Sequence, residues 1–187
     1  MQAILKAPAL SVEEYLAGEL HSRDRHEYLG GTVYAMAGTS GEHNLISLNL
    51  AFGLRTHLRG KPCQVFMSDV KLRLRISEED VFYYPDVMVA CDPSDAERYF
   101  KRRPQVLIEV LSPETESIDR REKFLSYIQI ETLSEYILVA QNKMEATVFR
   151  RSNKWEPEIL NRADEVLRIE SLNFALPLNL IYEGVKI

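Results

Sequence analysis

Tyr83-Tyr84-Pro85-Asp86-Val87-Met88-Val89 and Val106-Leu107-Ile108-Glu109-Val110-Leu111 are two apolar segments that each carry one acid. Both segments are rich in β-branched and aromatic residues, which is typical of buried strands. A carboxylate in such a strand is costly unless a positive charge compensates it, and a metal ion is one compensator. If the strands are neighbours, Asp86 and Glu109 can present oxygens to one divalent cation, as Mg²⁺ prefers. The alternative is that each acid lies at a strand end and faces water, since Asp after Pro is a common turn element.

The order of predicted elements indicates an α/β fold with a mixed sheet flanked by helices. Capping patterns at Ser11 and Thr39 predict helices to about Gly18 and Leu58, and Gly30-Gly31 predicts the turn of a hairpin over Glu27–Met36. Strands are predicted at about 63–75, 80–90, 105–111, 135–140, 146–150 and 155–160, with a helix at about 119–130. The second helix is expected to pack on the sheet through an apolar face made of Leu45, Ile46, Leu48, Phe52 and Leu54.

Composition predicts one domain over residues 1–187, because the chain is 45% hydrophobic and 27% charged. No apolar run is long enough for a membrane span, and residues 1–6 lack the layout of a signal peptide, so we expect a cytoplasmic protein. Cys63 and Cys91 have no metal-binding spacing and are expected to be free thiols in the core.

The net charge of −5 does not favour a generally basic nucleic-acid-binding surface. Alternation in Lys71-Leu72-Arg73-Leu74-Arg75-Ile76 predicts a strand with its cations on one solvated face, with contact to phosphate as the alternative. Lys101-Arg102-Arg103 is either a charged loop or a second phosphate contact.

An ordered set of residues resembles the restriction-endonuclease-like PD-(D/E)XK nuclease superfamily, and within it the bacterial Uma-type endonuclease family. The resemblance runs from about Tyr15 to Ala140, and the residues that carry it are Pro85-Asp86, Glu109-Val110-Leu111, Ser112-Pro113, His43, Asp119, Lys123, Tyr127 and Glu135-Tyr136. It implies a restriction-endonuclease-like core and a metal-dependent enzyme that hydrolyses phosphodiester bonds of nucleic acid, with DNA as the expected substrate.

The resemblance also implies roles for individual residues. Asp86, Glu109 and the backbone carbonyl of Val110 would bind Mg²⁺ or Mn²⁺. The family pattern places a lysine two residues after the second acid, where this chain has Leu111. Lys123 is the replacement we expect, because Asp119, Lys123 and Tyr127 form one stripe on the following helix. The alternative is a surface helix with Asp119 as its N-cap and Lys123 in water.

Four further residues are auxiliary candidates. Glu27 would complete the metal site or, alternatively, is a charge at the end of a hairpin. His43 lies in the first turn of its helix, where it faces the cleft or has a structural role. Ser112 ends a strand and is a candidate phosphate contact, and Tyr127 is expected to pack with its hydroxyl at the edge of the site.

The sequence therefore predicts a Mg²⁺-dependent nuclease in which Asp86, Glu109 and Lys123 carry the reaction. The alternative is an inactive nuclease-like domain that binds nucleic acid or a protein partner. A homodimer is a further expectation, and the apolar tail Phe174–Ile181 is predicted to cover either the core or a partner.

Overall fold

A computed structural model describes residues 9–113 and 115–187. The prediction for residues 1–6 lies outside the described residues. Helix α1 spans Val12–Glu19, α2 spans Gly41–His57, and α4 spans Leu178–Ile181. Helix α3 comprises an α turn at Glu116–Ile118, a π turn at Asp119–Lys123 and a further α turn at Phe124–Tyr127. Short 3₁₀ turns lie at Arg151–Asn153 and Glu170–Leu172. None of the helices in the described residues is long and apolar enough to cross a membrane.

The strands of the described residues form three sheets. In chain order they are β1 His26–Leu29, β2 Thr32–Ala35, β3 Gln64–Met67, β4 Lys71–Ile76, β5 Glu79–Tyr83, β6 Val87–Ala90, β7 Phe100–Lys101, β8 Pro104–Leu111, β9 Glu135–Ala140, β10 Ala146–Arg150, β11 Pro157–Leu160, β12 Val166–Ile169 and β13 Phe174–Pro177. The sheet orders are β2-β1-β5-β4-β7, β11-β10-β9-β8-β6-β3 and β12-β13. The pairs β8–β9 and β4–β7 are parallel, whereas the other described pairs are antiparallel. The predicted mixed sheet flanked by helices is therefore confirmed.

The chain changes sheets at Pro85 and Asp86. Strand β5 belongs to the five-stranded sheet and β6 belongs to the six-stranded sheet, so the predicted single strand over 80–90 is wrong. Proline has no backbone N–H for a strand ladder, which explains why pairing stops here. The predicted strand over 63–75 also divides, into β3 and β4.

Two apolar clusters pack on the six-stranded sheet, one on each side. The five-stranded and six-stranded sheets share a cluster that includes Leu72 and Tyr83 from the first and Leu107 and Tyr136 from the second. Helix α2 packs on the opposite side of the six-stranded sheet, where its buried residues include Ile46, Leu50 and Leu54. The predicted contact face of α2 is partly wrong, because three of its members are exposed: Leu45, Leu48 and Phe52. The apolar residues surround too much of the helix for their spacing to identify the buried side.

Helix α3 begins earlier than predicted. It extends from residue 116 to residue 127 rather than from 119 to 130, and Asp119 is inside it rather than at its N-cap. Asp119 and Lys123 are both buried. The alternative of a solvated surface helix is therefore wrong.

The two cysteines are not free thiols. The antiparallel register of β3 and β6 pairs Gln64 with Ala90, so Cys63 and Cys91 are the next facing pair, and they form a disulfide. This pairing depends on contacts between strands that are remote in sequence, which cysteine spacing alone does not reveal. The expected cytoplasmic location stays a prediction.

Lys71 and Lys101 do not lie on a solvated face. Both are buried, with the ammonium of Lys71 over the ring of Tyr84 and that of Lys101 donating to the carbonyl oxygens of Asp95 and Glu97. They consequently stabilise the fold and do not face phosphate. In the alternating stretch of β4, Arg75 is the exposed cation.

The C-terminal tail covers the protein's own core. Phe174 in β13 and Leu178 and Ile181 in α4 are buried in the cluster beneath α2. The tail therefore gives no support to a homodimer, which stays a prediction.

Candidate active site

Asp86 and Glu109 face each other across neighbouring strands. The antiparallel register of β6 and β8 pairs Val87 with Ile108, which places Asp86 opposite Glu109. The backbone N–H of Asp86 donates to Glu109 Oε2 at 3.1 Å, and the backbone N–H of Val110 donates to Asp86 Oδ2 at 2.7 Å. Each carboxylate is thus fixed by the other's strand, at the point where the chain passes between the two large sheets.

Lys123 approaches the acids from helix α3. Its Nζ lies 3.2 Å from Glu109 Oε1, 3.1 Å from Asp119 Oδ1 and 3.5 Å from Glu27 Oε1. The hydroxyl of Tyr127, one turn further along the helix, donates to Glu109 Oε1 at 2.9 Å. The stripe inferred from the sequence is therefore present, and it contacts the strand acid directly.

The charges of this cluster are strongly coupled. Burial raises the pKa of Glu109 to about 8, and the charges of Asp119 and Asp86 act in the same direction. Burial alone would lower the pKa of Lys123, but Glu109, Asp119 and Glu27 outweigh it and hold that pKa well above its ordinary value. Lys123 is therefore a protonated cation at neutral pH. Its nitrogen therefore has no free lone pair and cannot accept a proton from an attacking water.

Of the remaining candidates, His43 contacts Asp86, and Ser112 lies at the wall of the cleft. The Nε2 atom of His43 lies 3.2 Å from Asp86 Oδ2, and its side chain is buried. The N-cap of α2 that positions it is Ser40, one residue after the predicted Thr39, because Ser40 Oγ accepts from the His43 N–H. The hydroxyl of Ser112 lies 3.2 Å from that of Thr115 at the wall of the cleft.

The cluster lies in a cleft of about 770 Å³. Its walls come from the β1–β2 hairpin, the loop before α2, and the start of α3. Carboxyl groups of Glu27, Asp86, Glu109, Asp119 and Glu122 line it, against the cation of Lys123 and the ring of His43. Among the described residues, no three or more His, Cys, Asp or Glu side chains are grouped closely enough to hold a metal ion by themselves.

Among the lining residues that the sequence did not identify as site candidates are Tyr34, Met36 and Glu122. Tyr34 had a usable signal. In a hairpin that turns at Gly30 and Gly31, the partner of Glu27 is Tyr34, and the register confirms this pairing.

The arginines proposed as phosphate contacts lie elsewhere. Arg73, Arg75, Arg102 and Arg103 line a separate cavity of about 410 Å³. Each has an acidic partner within 4 Å, respectively Asp80, Glu78, Glu97 and Asp92. Each of these arginines therefore lies next to an acid, and none of them lines the cleft that contains Asp86 and Glu109.

Comparisons with known proteins agree with the geometry. Residues 12–179 match the family Uma2, described as "Putative restriction endonuclease". The uncharacterised protein slr1290 of Synechocystis sp. is 36% identical over 180 residues, covering 95% of this chain and 94% of its own length. A second uncharacterised Synechocystis protein, sll1609, is 31% identical over 144 residues, covering 75% of this chain and 80% of its own length.

A solved structure supports the fold independently of close sequence similarity. The crystal structure of a "putative nuclease belonging to DUF820" from Anabaena variabilis superposes with a TM-score of 0.75 at 14% identity, covering 95% of this chain and 99% of that one. The two chains share one fold, and together with the restriction-endonuclease family match this agrees with the core that the sequence predicted. Because the family model matches residues 12–179 and slr1290 is 36% identical over 180 residues, the chain belongs to the Uma2 family.

Proposed function

We propose that the protein is a divalent-cation-dependent nuclease that hydrolyses phosphodiester bonds, with DNA as its expected substrate. The observation that carries the proposal is the position of Lys123. A buried ammonium contacts Glu109 directly opposite Asp86, in a cleft that is open to solvent. A purely structural ion pair would not require a facing acid or an open cleft.

The donor set suits Mg²⁺ or Mn²⁺. Asp86 and Glu109 would hold the ion, with the carbonyl of Val110 and the carboxylate of Glu27 as further oxygen donors. Magnesium is commonly bound by one or two carboxylates and completes its coordination with water and substrate phosphate, so a three-residue cage is not required. When bound, the ion would neutralise charge on the scissile phosphate and lower the pKa of a water molecule.

The protein groups around the acids have separate tasks. Lys123, held protonated by its three acids, would stabilise negative charge that develops on the phosphate. Tyr127 orients Glu109, and His43 orients Asp86. Asp119 holds the ammonium from within α3, one turn before it.

A second candidate is a nuclease-like domain without turnover that binds nucleic acid or a protein partner. Two observations favour it: the described residues contain no ready cluster of three metal-binding side chains, and Lys123 already compensates the acids. Calorimetric titration with Mn²⁺ separates the candidates. A site that is lost in both Asp86→Asn and Glu109→Gln supports the enzyme, whereas no binding supports the second candidate.

Cleavage of labelled single-stranded and double-stranded DNA and RNA tests the activity. We expect cleavage that requires Mg²⁺ or Mn²⁺, is lost in Asp86→Asn and Glu109→Gln, and is retained in Glu97→Gln. Glu97 is a matched control, because it is an exposed acid outside the cleft. Wild-type protein that cuts none of these substrates, or acid variants that cut as well as wild type, would contradict the proposal.

A further inference from the structure

Tyr34 stands beside the charged cluster. It is the direct cross-strand partner of Glu27 in the β1–β2 hairpin, so the two side chains project from the same face of the sheet. Such partners have Cβ atoms about 4.5–5.5 Å apart. Glu27 in turn contacts Lys123 at 3.5 Å, which places the ring of Tyr34 on the cleft wall next to the candidate catalytic groups.

Exposure sets Tyr34 apart from most tyrosines of the chain. Seven of the nine tyrosines are buried, whereas Tyr34 is 53% exposed and Tyr99 is 46% exposed. The guanidinium of Arg98 lies over the ring of Tyr99, 5.2 Å from its centroid. Among the described residues, Tyr34 has neither a hydroxyl hydrogen bond nor an aromatic or cationic neighbour over its ring. Its whole strand, β2, is exposed and forms the edge of its sheet.

The cleft restricts what can reach the acids. Glu109 and Asp119 are each 2% exposed, so a phosphate must enter the cleft to approach them. A duplex is stiff over about 50 nm and keeps its bases stacked inside. A single strand bends freely and can turn its bases outward onto aromatic side chains.

The residues that line the cleft provide apolar surface for a nucleic-acid base beside the charged groups that would lie near a phosphate. Met36 follows Tyr34 on the hairpin, and Ile118 lines the cleft from α3 and is 39% exposed. These side chains provide apolar surface beside an acidic floor. Five carboxyl groups would repel a phosphodiester without a cation, so contact with the base would add affinity that the charges of the floor do not supply.

Building on the proposed function, we propose that the cleft takes single-stranded nucleic acid and that Tyr34 stacks on the unpaired base next to the scissile phosphate. Stacking depends little on the nucleotide sequence of the strand, because every base has a flat aromatic face. The same chemistry applies to DNA and RNA strands, and both are included in the test.

The experiment compares wild type, Tyr34→Ala, Tyr34→Phe and Tyr99→Ala. Labelled strands of about 12 nucleotides, within the usual site sizes for single-strand binding, are used as DNA, as RNA and as the matching DNA duplex. Cleavage in Mn²⁺ gives KM and kcat, and fluorescence anisotropy in Ca²⁺ gives Kd. We expect Tyr34→Ala to raise Kd and KM for single strands by about 5- to 150-fold with a smaller change in kcat. Tyr34→Phe and Tyr99→Ala should remain close to wild type.

The outcomes separate this proposal from the proposed function. Metal-dependent cleavage that favours single strands over the duplex, with loss in Tyr34→Ala and rescue in Tyr34→Phe, supports both proposals. The same preference in binding without any cleavage supports the role of Tyr34 and overturns the nuclease. Metal-dependent cleavage that is equal for duplex and single strand, or unchanged in Tyr34→Ala, overturns the role of Tyr34 and leaves the nuclease intact. Wild-type protein that neither binds nor cuts any of the strands overturns both.

Discussion

Replacing Glu109 by Gln should change how the stability of the metal-free protein depends on pH. Burial raises the pKa of Glu109 from its ordinary 4.5 to about 8. Between about pH 4.5 and pH 8, Glu109 therefore keeps a proton in the folded state that it has already lost in the unfolded chain. The stabilising contribution is fully present below about pH 4.5 and is lost as the pH rises through about 8.

The expected size follows from linkage. For these two pKa values, the free energy of unfolding of wild type falls by about 2 kcal/mol between about pH 6 and pH 8. Glu109→Gln cannot titrate and should lose most of that slope. Glu122→Gln, an exposed acid of the same cleft, should retain it.

Urea unfolding in EDTA, followed by circular dichroism at several pH values, measures the slope. The difference between the wild-type and Glu109→Gln slopes removes the contribution of titrating residues outside the cluster and leaves that of Glu109 and the charges coupled to it. Equal slopes for these two proteins would refute the reasoning, because Glu109 would then titrate alike in the folded and unfolded states.

Three other changes test the fold and the site. Reducing the Cys63–Cys91 disulfide, which closes a loop of 28 residues, should lower the free energy of unfolding by about 2–4 kcal/mol. Urea unfolding of wild type and of Cys63→Ser, each with and without reductant, checks this. A reductant effect that persists in the variant would contradict the prediction. Gly31→Ala should lower the free energy of unfolding by about 1–3 kcal/mol, because Gly31 has a φ of +95° and its added Cβ would lie 2.6 Å from the Cβ of Ala9. Gly18→Ala is the control, because no heavy atom lies within 4 Å of its added Cβ, and it should be neutral or stabilising. Thermal melting measures both variants. Lys123→Met should lower the free energy of unfolding by about 3–5 kcal/mol at neutral pH, because it leaves the buried carboxylate of Asp119 without its cation. A loss below about 1 kcal/mol in urea unfolding would show that the ion pair contributes little.

The local features of the fold were predictable because neighbouring residues determine them. The capping box of Ser11 and Glu14 and the hairpin turn at Gly30 and Gly31 depend on a few adjacent residues, and both are confirmed. Pro85 signals an interruption of strand pairing, but the change of sheet was not predicted, because the apolar run continues on both sides of the proline. The disulfide and the exposed side of α2 likewise depend on which strands become neighbours.

The candidate site was predictable to the extent that strand and helix periodicity place residues together. One acid in each of two apolar strands predicted the facing pair Asp86 and Glu109, and the spacing of four predicted the stripe that contains Lys123. The π turn at Asp119–Lys123 could not be predicted, and neither could the depth to which it buries both side chains. The individual catalytic roles stay proposals.

The arrangement around Glu109 gives a physical reason why the cation can come from the helix. Side chains two residues apart on a strand share a face, so Glu109 and Leu111 both point toward the cluster between the large sheets, where Leu111 is 4% exposed. Apolar packing therefore fills the space that a strand lysine would occupy. The attraction between an ammonium and a carboxylate depends on their separation and not on their position in the chain.

A helix lysine also requires its own support, since a long side chain loses freedom when its end is fixed. Asp119 and Tyr127 provide that support from one turn before and one turn after Lys123, the first by holding the ammonium and the second by holding Glu109. Helix α3 therefore supplies both the cation and the two groups that position it, where the family pattern has a lysine on the strand. Leu111 at the strand position is, for this reason, not evidence that the site has lost its cation.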